Sequence, residues 1–284
     1  MKSIEEKEEL YGLYIKVKPI LTTYIFELKK QWKKFVFFSA IAIAFVILLS
    51  YLPYALIPDN PLPATQAEFL QSGLQFISSL VIFASCFFFG GIICSEFSNK
   101  TGFITFPVIN KYKLITGKFL GAYTLITGVM SIFYFALSVL SVFYYGAAFN
   151  YRIFYSFGIA LLYALAVSSF VTFFSSFMNS VNMTIVSTIL ILLIAVMIVD
   201  SLIILLLPEY EPIHSLNHAS RLVSYILEKD FPDSRDDRME KIEFRGFTNV
   251  RWLTPTIPMG ITIFLVYTGV CLLLASLIFN RRQL

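Results

Sequence analysis

Charge is scarce in this chain. Asp, Glu, Lys and Arg make up 14% of its 284 residues, against roughly a quarter in soluble domains, so most of its surface is not built to face water. Histidine is rarer still: His214 and His218 are the only two. The three cysteines, Cys86, Cys94 and Cys271, are odd in number, lie inside apolar runs and form no CxxC pair. That argues against a disulfide framework or a zinc knuckle, and they read as small hydrophobes. No GxxxxGK[ST], GxSxG or HExxH motif occurs. The nearest approach to a phosphate loop, Gly117-Lys118-Phe119, lacks the hydroxyl that would hold magnesium. The chain is expected to be no enzyme, with no catalytic residue, cofactor or metal of its own. His214 and His218, at i,i+4 spacing with Glu209 and Glu211 nearby, are weak candidates for a metal ion. A secretory leader is not expected either, because the first 34 residues are polar and mixed in charge.

What is present is apolar. Hydrophobic residues are 57% of the chain and the mean hydropathy is +0.76. Six runs, 35–57, 69–94, 119–145, 153–174, 183–207 and 257–279, are long enough to cross about 30 Å of hydrocarbon. The expected fold is an all-α integral membrane protein of six transmembrane helices, since an isolated strand cannot satisfy its backbone in lipid. An even number of spans puts both termini on one side. If that side is the cytoplasm, residues 1–34, 95–118, 175–182 and 280–284 hold fourteen of the 22 lysines and arginines, and the short outer loops offer only Arg152. The positive-inside rule therefore predicts a multi-pass protein of the cell membrane with cytoplasmic N- and C-termini. The lipid bilayer, and not nucleic acid, is the expected partner.

Four segments carry the remaining information. In the 1–34 segment Leu21, Tyr24, Ile25, Leu28, Trp32 and Phe35 recur at helical spacing, with Glu27, Lys29, Lys30, Lys33 and Lys34 on other faces. This reads as an amphipathic helix lying in the interface and running into the first span, or as a simple basic anchor. The 95–118 loop exposes Phe103, Ile104, Phe106, Val108 and Ile109, which must fold back or meet a partner. Gly117 and Gly121 form a GxxxG that permits close helix packing. Asp200, within the fifth run, is the one clear ionisable residue inside a span. It reads either as lining a translocation path or dimer interface, or as the mark of an earlier helix end. The external segment 208–256 carries nine acids and seven bases. It contains an amphipathic helix near 216–227 and then a solvated polar turn or short helix, and reads as a gating cap or a passive connector.

Glu96, Lys100, Thr101, Gly102, Phe103, Phe106, Pro107, Lys111, Gly117 and Lys118 occur in an order that resembles the coupling loop of permeases of the type-2 class of ABC exporters. In that class an acid precedes a Thr/Gly pair, an apolar turn, a proline, a basic residue and a Gly-Lys that opens the third helix. The six spans, the N-terminal amphipathic helix, the long external segment before the last span and the tail "FNRRQL" resemble the family too. Lys111 stands where many relatives have arginine. The resemblance implies a short cytoplasmic coupling helix between spans 2 and 3 that seats in an ABC ATPase subunit. It further implies two copies of that ATPase, which bind ATP and magnesium, and a second permease, the same or homologous. The path would run between the permeases, lined by the first, second and fifth spans. The alternative is a non-transporting membrane scaffold or sensor presenting the 208–256 segment. A secondary transporter is disfavoured by the lack of an internal repeat and of further ionisable residues within the spans.

Overall fold

Lipid offers a backbone amide no partner outside its own chain, so each long apolar run folds as helix. The computed structural model describes residues 2–56, 61–107, 109–146, 150–207, 209–228, 230–244 and 247–282, with side chains described over 17–240 and 251–282 of these. Ile57, Val108, Pro208, Gln283 and Leu284 lie outside the described residues. Six helical stretches are long and apolar enough to cross a membrane, which makes this a multi-pass membrane protein.

The first stretch is one helix, α1 (Lys2–Val46), continued through a π-helical turn at Ile47–Tyr51 into α2 (Leu52–Leu56). The basic segment runs into the first span without a break, as its helical spacing implied. α3 (Gln66–Leu74), α4 (Ile77–Phe89) and α5 (Cys94–Ser98) make up the second stretch. The expected single span 69–94 is interrupted at Gln75–Phe76 and again after Phe89, where the Gly90-Gly91 pair opens a turn. Glycine weakens a helix by about 1 kcal/mol per residue. Thr65 opens α3, its hydroxyl accepting from Glu68 N–H (3.2 Å) while the Glu68 carboxylate accepts from Ala64 N–H (3.1 Å).

After α6 (Gly102–Thr105), α7 (Lys111–Tyr145) begins eight residues earlier than the third apolar run, capped by Asn110 Oδ1 on Tyr112 N–H at 2.9 Å. It ends at Gly146, whose φ of +55° suits the left-handed terminus. α8 (Arg152–Phe177) and α9 (Val181–Leu190) follow, and a π-helical turn at Ile191–Ala195 joins α9 to α10 (Val196–Leu206). α10 runs past Asp200, so the helix does not end there. The segment before the last span holds α11 (Leu216–Ser220), α12 (Leu222–Tyr225) and an antiparallel hairpin, β1 (Met239–Phe244) with β2 (Phe247–Trp252), in which Met239 faces Trp252 and Glu240 faces Arg251. The expectation of an all-α protein is thus corrected by one hairpin, and the single helix near 216–227 by two short ones. α13 (Ile257–Arg281) is the last of the six long apolar stretches among the described residues.

α1 lies along α7 and α13 along α8, with α4 enclosed by α7, α8 and α9. Phe69, Phe88, Phe89, Phe133, Tyr163 and Phe264 fill the centre. Small polar groups join the helices, as between Ser85 and Ser168 hydroxyls (3.3 Å) and from Thr188 to the Cys86 sulfur (3.3 Å). The GxxxG expectation holds: a Cβ on Gly117 would lie 2.7 Å from the Ile20 carbonyl, and one on Gly121 3.0 Å from that of Tyr24. Ile20, the 95–118 loop and Arg282 therefore gather at one end of the bundle, and residues 208–256 cap the other.

Candidate functional site

The loop end is built around Glu96. Its carboxylate accepts hydrogen bonds from Thr101 Oγ1 (2.8 Å) and Thr105 Oγ1 (3.2 Å), and pairs with the Lys118 ammonium. Both Glu96 and Lys118 are buried. Lys118 also donates to the Ile92 carbonyl at 3.3 Å, one of the groups freed by the break after α4. Ser175 on α8 completes the repair, donating to Gly90 O (3.0 Å) and accepting from Ile93 and Cys94 N–H (3.1 Å each). One acid thus fixes α5, α6 and α7 to each other. Lys100 turns the chain between α5 and α6 with φ +57°, a left-handed conformation that costs a non-glycine residue about 1–2 kcal/mol.

The apolar residues of the loop divide into two sets. Phe106 packs inward against Phe97 (6.0 Å between centroids) and Phe279 (5.5 Å). Lys111 stands over the Phe106 and Phe279 rings at 5.2 and 5.4 Å and donates to Arg282 O at 3.2 Å. Arg282 in turn covers Phe97 at 4.1 Å and donates to Ser176 O and Met178 O, both at 2.9 Å. Phe103 and Ile104 point outward, 59% and 75% exposed. Gly102 is buried and Pro107 exposed. Gly117 faces α1 rather than the loop tip.

A second polar cluster includes buried ionisable groups that the spacing of residues does not announce. Glu27 and Gln31 on α1 are buried, and Gln31 donates to Glu27 (2.5 Å) and to the Phe88 carbonyl (3.1 Å). Lys34 donates to the Phe87 carbonyl at 2.8 Å. Leu21, Ile25, Phe26 and Trp32 are exposed, and so are Lys29, Lys30 and Lys33, so the polar residues divide: Glu27 and Gln31 meet protein while these lysines do not.

At the cap end Asp200 binds Ser215 Oγ (2.5 Å) and lies 3.3 Å from His214 Nε2. Ser215 Oγ also accepts from His218 N–H at 3.2 Å. His218, buried, has Nε2 3.4 Å from Glu211, and Glu211 is paired with Arg238. Burial holds the His218 pKa below the ordinary 6.5, against the pull of the Glu211 hydrogen bond. Tyr267 on α13 donates to His214 O at 2.6 Å. The two histidines thus face different carboxylates, and among the described residues no group of three or more His, Cys, Asp or Glu side chains could hold a metal ion.

The residues beyond the expected set are Thr105, Phe97, Phe279, Arg282 and Gln31. Thr105 was signalled by its i+4 spacing from Thr101 and Arg282 by the basic tail, whereas the aromatic partners had no local signal. No protein-family model matches this chain, and no curated protein is significantly similar to it.

Proposed function

We propose that this chain is the membrane-spanning subunit of an ATP-driven ABC exporter, working with a second permease and coupled to separate ATPase subunits through the 95–118 loop. The observation that carries the reading is the division of the loop: Phe103 and Ile104 are exposed at its tip while Glu96, Thr101, Thr105 and Lys118 fix its base. Two apolar side chains held out by a rigid base suit insertion into a protein groove, and a rigid base passes a push to the helices behind it. α5 leads to the broken second stretch, α7 to α1, and the Phe279 and Arg282 contacts to α13. An ATPase that binds two arrangements of this loop with different affinity would shift the balance between two arrangements of the bundle. The loop end is then cytoplasmic.

The test is a mild-detergent purification of the tagged full chain from its native membranes. A P-loop ATPase of the ABC kind should copurify in stoichiometric amount and be lost with Phe103→Asp or Ile104→Asp, while Asp233→Ala at the cap end retains it. Recovery of the chain without an ATPase, under conditions that keep other membrane complexes together, would favour the scaffold reading, in which the 208–256 segment is the working part.

A further inference from the structure

A polar cavity of about 540 Å³ opens between the start of the second helical stretch and the capping segment. Its wall from α3, α4 and their junction includes Gln75 and Leu74; the wall from the cap includes Asn217, Arg221 and Tyr225; Arg251 closes it from β2 and Met197 from α10.

Two cations share this space. Burial and the neighbouring Arg251 hold the Arg221 pKa below its ordinary value, so the pair is held together against its own repulsion. Neither arginine is in an ion pair among the described residues. Of the acids around them, Glu68 lines the cavity and accepts from Ala64 N–H (3.1 Å), Glu228 accepts from Gln71 (2.8 Å), and Asp200 accepts from Ser215. Glu240 faces Arg251 across the hairpin without forming such a pair. Arg221 spends one donor on the Trp252 carbonyl; a guanidinium has five. Two arginines with amide, hydroxyl and phenol groups around them are the chemistry that receives a phosphate or carboxylate.

The cavity does not end in polar groups. Met197 also lines a groove of about 330 Å³ along the exposed face of α10, with Leu193, Ile194, Ile198, Leu202 and Leu205. Its walls are almost wholly hydrocarbon, and Met197 is the residue it shares with the cationic cavity.

We propose that the cavity binds the anionic headgroup of an amphiphile whose chain lies in the α10 groove. Charge picks the head, and the apolar surface that meets the cavity at Met197 picks a molecule that carries a tail. The site requires no ATPase, so the inference stands apart from the transport reading. If that reading holds, the ligand lies against the second and fifth spans.

The test uses the purified full chain in a maltoside detergent, with native mass spectrometry of retained lipid. Dioleoylphosphatidylglycerol should be retained roughly tenfold better than dioleoylphosphatidylcholine, the size expected for one charge-assisted contact. Arg251→Gln should bring the two lipids level, and Arg251→Lys should keep most of the preference; Arg251 is exposed, so both variants should fold. Met197→Trp, filling the junction, should weaken the anionic lipid, and millimolar inorganic phosphate should not displace it from the unaltered chain. Equal retention of the two lipids, or a preference unchanged in Arg251→Gln, overturns the proposal. Displacement by phosphate with no effect of Met197→Trp overturns it too, because the ligand would then be a free anion.

Discussion

Lys118 and Glu96 form an ion pair inside the protein, with 4% and 8% of their side chains exposed. The pair joins α5 to α7 across 22 residues of sequence. Its cost in desolvation is offset only while both charges and their hydrogen bonds are present. Lys118→Met should therefore lower stability by about 3–5 kcal/mol, because it leaves the Glu96 carboxylate buried without a cation. The double variant Glu96→Gln/Lys118→Met should recover most of that loss. Thermal unfolding of the unaltered protein and the two variants in detergent measures both effects, and a double variant no better than the single would show that the charge pair is not what matters.

Glycines in the long helices differ in what surrounds them. A Cβ on Gly117 meets the Ile20 carbonyl and the Thr23 Cβ, both at 2.7 Å, whereas Gly158 has nothing within 4 Å. Gly117→Ala should force α1 away from α7 and cost about 1–3 kcal/mol. Gly158→Ala should be neutral or stabilise by a few tenths to about 1 kcal/mol through helix propensity. Equal responses in a melting experiment would remove the close contact from the account.

The six crossings were legible because only uninterrupted helix satisfies a backbone in lipid, so length and hydropathy suffice. The GxxxG contact was legible as well, from spacing; the internal pairing of Glu96 with Lys118 was not, because both were read as groups that orient a partner. Nor was the burial of Glu27. Hydrophobic periodicity reports an apolar stripe, and in water that stripe faces the core; in a membrane it can face lipid, leaving polar groups to meet protein. The hairpin was missed for a different reason. "MEKIEF" and "FTNVRW" mix charged residues with the aromatic and β-branched types that favour strands, but each is only six residues long and lies in a segment read for helices. The inward turn of Phe106 depended on Phe279, 173 positions away in sequence, which no local pattern supplies.

His218 gives the capping segment a dependence on pH whose direction follows from its burial. Its folded pKa lies below the unfolded 6.5, so the unfolded segment takes up a proton before the folded one does. The contribution to stability is complete above about pH 6.5 and is lost as pH falls through the folded value. Glu211, Asp200, Arg221 and Arg238 are the charged groups that set it. Hydrogen exchange over residues 211–238 should therefore quicken between about pH 7 and 5, beyond the intrinsic change in exchange chemistry. His218→Gln should flatten that response. A slope that persists in the variant would assign the effect to the carboxylates.

The two ends of the bundle should be distinguishable by an impermeant thiol reagent. Ile104 is 75% exposed at the loop end and Asp233 is exposed in the cap. The native thiols of Cys86, Cys94 and Cys271 are all buried, so they can stay in place and should contribute little background. Asp233→Cys is expected to label in intact cells, and Ile104→Cys only after permeabilisation, as the distribution of lysine and arginine requires. The reverse pattern would place the 95–118 loop outside, where no ATP-driven engine could reach it, and the coupling role would fall with the topology. Labelling of both from one side would instead break the separation of the loop from the cap on which the six-span arrangement depends.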